Sequence, residues 1–230
     1  MQRKTLKDKI YLGLNKKLLP LLIIILILSF DQTLKFWVKC NYQLGETLFD
    51  LGLVRFDFVE NPGMAFGWSF GNQFSKYLLS LFRIGAVFAI GYYILRLIRT
   101  GATFSFICLV SLIFAGALGN IIDNVFYGLI FDSGTTWNND IGYWVGYNGV
   151  SKADFSGYSE ILGGCVVDMV HLVFYWPSWT PFGLGGSEVF PPVFNLADAS
   201  ISVSVFFILI FYKKIVRKED LDFSFNKKSK

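Results

Sequence analysis

The chain has 230 residues, is 53% hydrophobic and 18% aromatic, and carries charge on only 17% of its positions. Its mean hydropathy of +0.49 is more apolar surface than a soluble core of this size can hide, so the composition points to an integral membrane protein. The net charge of +4 does not mark a nucleic-acid surface, because no aromatic interleaving or binding motif accompanies the basic clusters. Cys40, Cys108 and Cys165 form no CxxC pair and are too few for a disulfide framework. They read as unpaired small apolar residues unless Cys40 and Cys165 meet. With His171 as the single histidine, no zinc cluster is visible, and neither a metal nor a cofactor is expected.

The first apolar run, "LLPLLIIILILSF" over 18–30, makes only about 20 Å of helix, short of a hydrocarbon core of about 30 Å. No small-x-small cleavage site follows it, so it reads as a retained span carried on to about Val38, with Asp31 and Lys35 near its far end. Residues 39–76 follow as an external segment. In "VRFDFVEN" Val54, Phe56 and Phe58 alternate with Arg55 and Asp57, which predicts a short strand, and "NPG" then turns the chain. Further spans are predicted over about 77–98, 103–126 and 195–216. Residues 127–194, rich in Gly, Trp, Tyr and Asn, read as a second external segment with an ordered insert at about 127–163. The fold class is thus a mainly α membrane protein: one four-helix domain with a small external β-rich segment and an external insert.

Lysine and arginine set the orientation. Fifteen of the 21 basic residues fall at the N-terminus, in the "RLIR" turn and after the last span, all on one side of this arrangement. The 127–194 segment carries one basic residue, Lys152, and six acids. Both termini are expected in the cytoplasm.

That topology brings Asp31, Asp123, Asp168 and Asp198 to one depth near the outer face. Ionisable groups in a membrane are functional-site hypotheses by default. Asp31 has a local partner in Lys35, four residues on, the favourable acid-before-base spacing. Asp168, in the apolar stretch "CVVDMVHLVFYW", and Asp198, in "NLADAS", have no local cation. Two carboxylates held close share one proton, which gives a charged base beside a neutral acid, the chemistry of aspartyl peptide hydrolysis. Spacing alone permits Asp168 and Asp198 to converge but does not require it.

Five ordered blocks, "DQTLK", "ENPGMAFG", "GALGNIID", "VVDM" and "FNLAD", resemble the lipoprotein signal peptidases, the bacterial type II signal peptidases. The resemblance covers all four predicted spans and the first external segment. It implies an aspartyl endopeptidase of the bacterial cytoplasmic membrane. Such an enzyme removes signal peptides from prolipoproteins just before a diacylglyceryl-modified cysteine. By motif, Asp168 and Asp198 would be the catalytic pair. Asn61, Gly63, Ala65, Asn120, Asp123, Asn195, Ala197, Asp31 and Lys35 would support the site or the substrate. The three amides can donate hydrogen bonds to a substrate backbone or to the carboxylates. Gly63, Gly116 and Gly119 allow close approach, which also suits simple packing of spans. The implied partners are lipid-modified prolipoproteins and membrane lipid, with no nucleic acid.

Two departures stand out. Asn124 occupies the position after Asp123 where the family usually has arginine, leaving Arg55, Arg83 and Lys76 as candidate cations. The link from Asp123 to Asp168 is also longer than usual, and because the motifs lie outside its insert, the insert is expected to be dispensable for cleavage. A small proton- or ion-coupled carrier is the rival reading, but it calls for acids at the midplane and paired broken helices. A non-enzymatic membrane subunit leaves Asp168 and Asp198 unexplained. A serine route lacks G-x-S-x-G and a partner for His171.

Overall fold

The computed structural model of the protein describes residues 6–63 and 73–222. Ala65 lies outside them. Three helical stretches are long and apolar enough to cross a membrane: Lys17–Asn41, Gln73–Thr100 and Phe104–Ile130. The first is the greater part of α1 (Leu6–Asn41), and the second is α2 (Gln73–Thr100). The third begins as α3 (Phe104–Ile122), passes through a π-helical turn at Asp123–Tyr127 and ends in the single turn α4 (Gly128–Ile130). The predicted fourth span is shorter than expected. Its helix, α5, covers Leu196–Ile210, breaks at Phe211 and resumes as α6 (Tyr212–Ile215), followed by α7 (Lys218–Leu221). Fifteen residues make about 22 Å of helix, less than the hydrocarbon thickness of about 30 Å.

Each membrane-length helix shows lipid-facing and inward-facing residues. Leu21, Phe30, Phe82 and Phe88 stay exposed on the protein, whereas Asp31, Lys35, Val38 and Lys39 on α1 are buried. Spacings of three and four put those buried residues on one helical stripe. An apolar helix with a charged inner stripe needs partners for the charges, and they come from Asn120 on α3, Asp123 in the π-helical turn, Ala197 on α5 and Glu60 beyond α1. Helix α3 packs against α1, α2 and α5, and two glycines set how closely. A Cβ on Gly116 would lie 2.3 Å from the Ala197 carbonyl oxygen, and one on Gly119 would lie 2.8 Å from Asp31 Oδ2. Gly116 therefore serves helix contact, while Gly119 makes room for a carboxylate.

At the end of the helices where α1 stops and α2 and α5 start, a three-stranded antiparallel sheet runs in the order β1 (Thr47–Asp50), β2 (Val54–Asn61), β5 (Val166–Leu172). The expected strand at 54–61 is present, but its alternation is not the simple one. A register shift between Phe56 and Val59 leaves both Asp57 and Phe58 buried. The apolar stretch around Asp168 forms strand β5 and lies outside the three membrane-length helices. Val, Met and Leu in continuous sequence suit a strand covered on both faces. Within the insert, β3 (Thr136–Asn138) and β4 (Tyr143–Val145) form a hairpin.

Candidate active site

The two faces of the β2–β5 ladder hold different chemistry. Val59 lies opposite Asp168, and Asn61 lies opposite Val166. Asn61 is thus a same-face diagonal neighbour of Asp168, and its side chain hydrogen-bonds that carboxylate. The Asn61 side chain also accepts from the Gly63 N–H at 2.9 Å, and Gly63 takes φ +108°, a backbone conformation that favours glycine. Glu60 points to the opposite face.

Asp198 comes from the first turn of α5. Asn195 caps this helix: its Oδ1 accepts from the Asp198 N–H at 2.9 Å, and Asp198 Oδ2 accepts in return from the Asn195 N–H at 3.3 Å. This reciprocal capping box fixes the turn and holds the Asp198 carboxylate at a helix N-terminus, where negative charge is favoured. Asn195 also donates through Nδ2 to Asp168 Oδ1 at 2.7 Å and to Asn120 Oδ1 at 3.0 Å. Asn120 in turn donates to Asp198 Oδ1 at 2.8 Å. One amide ladder therefore grips both acids, and every carboxamide orientation in it is fixed by its partners. Asp168 and Asp198 line one cavity of about 480 Å³ together with Asn61 and Arg83.

The acids differ in setting. Asp168 is buried, whereas Asp198 is partly open to the cavity. Burial first, and then the charge of Asp198, push Asp168 well above the ordinary carboxylate range. That is the arrangement in which one of two carboxyl groups keeps a proton.

Beneath the acids lies a second cluster. Lys35 bridges Asp31 and Asp123, each at 2.8 Å, and donates to Asn120 Oδ1 at 2.9 Å. The expected Asp31–Lys35 pair is present but is only half of the arrangement. Asp31 Oδ1 accepts from the Ala197 N–H at 3.0 Å, so the first turn of α5 is tied to α1. Asp123 accepts from the Val167 N–H at 3.3 Å, which ties the π-helical turn after α3 to β5. Gln32 was not singled out by the sequence reading, yet it donates to Asp31, to Asp123 and to the Gly119 carbonyl. Its position beside Asp31 in "DQTLK" was the available signal.

The candidate replacements for the missing arginine separate here. Arg83 lies within Coulombic range of both Asp198 and Asp168. Arg55 instead bonds Asp57 at 2.6 Å, and Lys76 bonds the Gly163 carbonyl at 2.6 Å. Asn124 is buried with no hydrogen bond to its carboxamide among the described residues. His171, which the sequence left without a partner, contacts Asp57 at 2.8 Å and Glu188 at 3.4 Å. Burial raises Asp57, but hydrogen bonds from Thr47, His171 and Arg55 outweigh it and hold the carboxyl below its ordinary range. Cys40, Cys108 and Cys165 are all free thiols. Among the described residues, no group of three or more His, Cys, Asp or Glu is arranged to hold a metal.

The insert is built into the molecule. Lys39 pairs with Glu60 in a buried contact, and the same ammonium reaches the Ser133 carbonyl at 2.9 Å and lies 4.9 to 5.2 Å from the ring centroids of Phe131, Tyr147 and Tyr158. Glu60 also accepts from the Thr135 N–H at 2.7 Å. Shortening 132–158 to a few polar residues would strip these partners from a buried ion pair one residue before Asn61. Thermal unfolding in detergent should fall by several degrees, and the loss should shrink when Lys39 and Glu60 are replaced together by Met and Gln. An unchanged midpoint would return the insert to the status of a dispensable loop.

Membrane-length helices, a capping sheet and two carboxylates gripped by amides define a multi-pass membrane protein equipped for carboxylate chemistry. The model of the family described as signal peptidase (SPase) II matches residues 23–214. The chain belongs to this family and is an aspartic-type peptidase. The lipoprotein signal peptidase of Porphyromonas gingivalis (strain ATCC 33277) is 41% identical over 203 residues, covering 84% of this chain and 82% of the relative. The lipoprotein signal peptidase of Amoebophilus asiaticus (strain 5a2) is 35% identical over 196 residues, covering 82% and 75%. A structure described as a bacterial membrane enzyme, solved by the in meso method, superposes with a TM-score of 0.51 at 21% identity, covering 92% of this chain and 94% of that one. That likeness speaks for the fold.

Proposed function

We propose that Asp168 and Asp198 are the catalytic pair with which this signal peptidase II removes signal peptides from prolipoproteins. The observation that carries the assignment is the amide ladder: Asn195 and Asn120 hold the two acids on one cavity wall. Asp198, at the helix N-terminus, takes a proton from a water lying between the acids. The resulting hydroxide attacks the scissile carbonyl carbon while protonated Asp168 donates a hydrogen bond to the carbonyl oxygen. The tetrahedral intermediate collapses as the leaving amine receives a proton from the pair. Asn61 and Gly63 border the substrate. Asp123, Asp31, Lys35 and Ala197 hold the framework beneath. The carrier reading finds no support in the family assignment.

The substrate is a prolipoprotein cut just before its diacylglyceryl-cysteine. The protein resides in the bacterial cytoplasmic membrane with both termini in the cytoplasm and the acid pair near the outer face. In this reading α5 and α6 together make the fourth crossing, and the sheet and insert lie outside. The distribution of basic residues supports that orientation.

Purified protein in detergent, given one precursor with and without the lipid on its cysteine, tests this. The lipidated form should be cleaved at least tenfold faster, at the bond preceding the modified cysteine. Equal cleavage of the two forms would remove the lipid from the recognition scheme, and cleavage of neither would remove the peptidase assignment.

A further inference from the structure

A second, smaller cavity of about 180 Å³ lies beside the first turns of α2, lined by Lys76, Thr135, Trp137, Trp144, Tyr158 and Ser159 among others. Its chemistry is unbalanced. Lys76 is 5% exposed. Its ammonium donates to the Gly163 carbonyl at 2.6 Å and to Cys165 Sγ at 3.5 Å, and it lies 4.9 Å from the centroid of the Trp144 ring. These contacts hold the ammonium without cancelling its charge. Among the described residues it has no carboxylate partner, and the neighbouring Glu60 is already paired with Lys39. Burial pushes the Cys165 thiol up to about 11, so the sulfur supplies no negative charge at neutral pH. The Thr135 hydroxyl, on a residue only 7% exposed, has no hydrogen-bond partner among the described residues. A buried cation without a counter-charge beside a buried, unused hydroxyl is costly in an empty site. The same two groups become favourable when an anion enters. Trp137 and Trp144 meet edge to face, with centroids 5.5 Å apart, and give the cavity a stiff apolar wall.

We propose that this cavity receives an acidic side chain of the precursor, a few residues past the scissile bond, with Lys76 as its counter-charge and Thr135 as a hydroxyl donor. The proposal rests on the peptidase reading above and adds a specificity subsite to it. Geometry supplies the spacing. Lys76 lies two helical turns before Arg83 on α2, about 10 Å along the axis. Cys165 lies three residues before Asp168 at the entry to β5, again about 10 Å. An extended peptide covers that distance in about three residues. The side chain of Asp or Glu fits the volume.

The test uses the full-length protein and lipidated precursors that differ only by Asp against Asn at one of the second to fifth positions after the modified cysteine. At one of these positions kcat/KM should be about tenfold higher for the acidic member, as expected for a charge-assisted hydrogen bond. Lys76→Gln should bring that ratio near one, Lys76→Arg should keep most of it, and Thr135→Val should give an intermediate value. The comparison on the unaltered protein decides the matter even if a variant fails to fold. Equal rates for acidic and neutral precursors at all four positions would overturn the subsite, as would a preference that Lys76→Gln leaves intact. Acceleration by phosphatidylglycerol vesicles for every precursor, abolished in Lys76→Gln, would assign the cavity to a lipid phosphate and also overturn it. Cleavage of none of the precursors would overturn the peptidase reading beneath it.

Discussion

Asp168→Asn and Asp198→Asn should each lower cleavage of a lipidated precursor by at least about a hundredfold, the low end of a general acid–base contribution. Each variant keeps the size of the side chain and an oxygen that can still accept from Asn195 or Asn120, so the fold should persist. The double variant should be little worse than either single one, because the two groups form one proton-sharing unit. Stability should move the other way from activity. The folded protein holds the Asp168 proton more tightly than the unfolded chain does. Stability from this group therefore falls as pH rises from the ordinary carboxylate value toward the raised one. A neutral asparagine removes that penalty, so Asp168→Asn should unfold no earlier than the parent protein at neutral pH. The pH–rate profile should be bell-shaped, with an acid limb where the base of the pair gains a proton and an alkaline limb where the acid loses one. Normal cleavage by either single variant would move the chemistry to other residues.

What the sequence revealed of this site follows from how each residue does its work. Asp31 and Lys35 were legible because a one-turn spacing on a helix is a local relation. Asn195 and Asp198 are marked in the sequence by the "FNLAD" block and by an acid opening an apolar run, whereas the capping box that joins them within four residues emerges only in the structure. The sheet was half legible. Residues 54–61 alternate, but the bulge that buries Asp57 is set by strand pairing with β5, which no local pattern encodes. Around Asp168, an apolar run covered on both faces looks the same whether it becomes strand or membrane helix. Gln32, Arg83 and Lys76 acquire their meaning from partners about 90 residues away or farther along the chain. Such relations exist only once the helices are packed. The short α5 was hidden for the opposite reason: the sequence stays apolar through Phe211 and Tyr212, and no Gly or Pro marks the break between α5 and α6.

Lys35→Met should be the most destabilising single change in the protein, costing about 3–5 kcal/mol, the usual consequence of removing one partner from a buried ion pair. Lys35 is fully buried and is the cation that both Asp31 and Asp123 contact. Without it, two carboxylates face each other with, among the described residues, Gln32 and the backbone N–H groups of Ala197 and Val167 as donors. Those N–H groups belong to α5 and β5, the two elements that carry Asp198 and Asp168. Repulsion between the acids would therefore loosen the attachments that bring the catalytic pair together. Asn120 would lose the ammonium on its Oδ1 as well, and with it part of what keeps its amide group turned toward Asp198. Activity should fall along with the midpoint of thermal unfolding in detergent. Asp31→Asn should cost much less, because Lys35 keeps Asp123 as a partner and the asparagine oxygen can still accept from the Ala197 N–H. Lys35→Met combined with Asp31→Asn should recover part of the loss, since only one uncompensated carboxylate then remains. If Lys35→Met unfolds at the same temperature as the parent protein, the lysine is not the keystone of the bundle, and the acids below the active site are balanced by some other group.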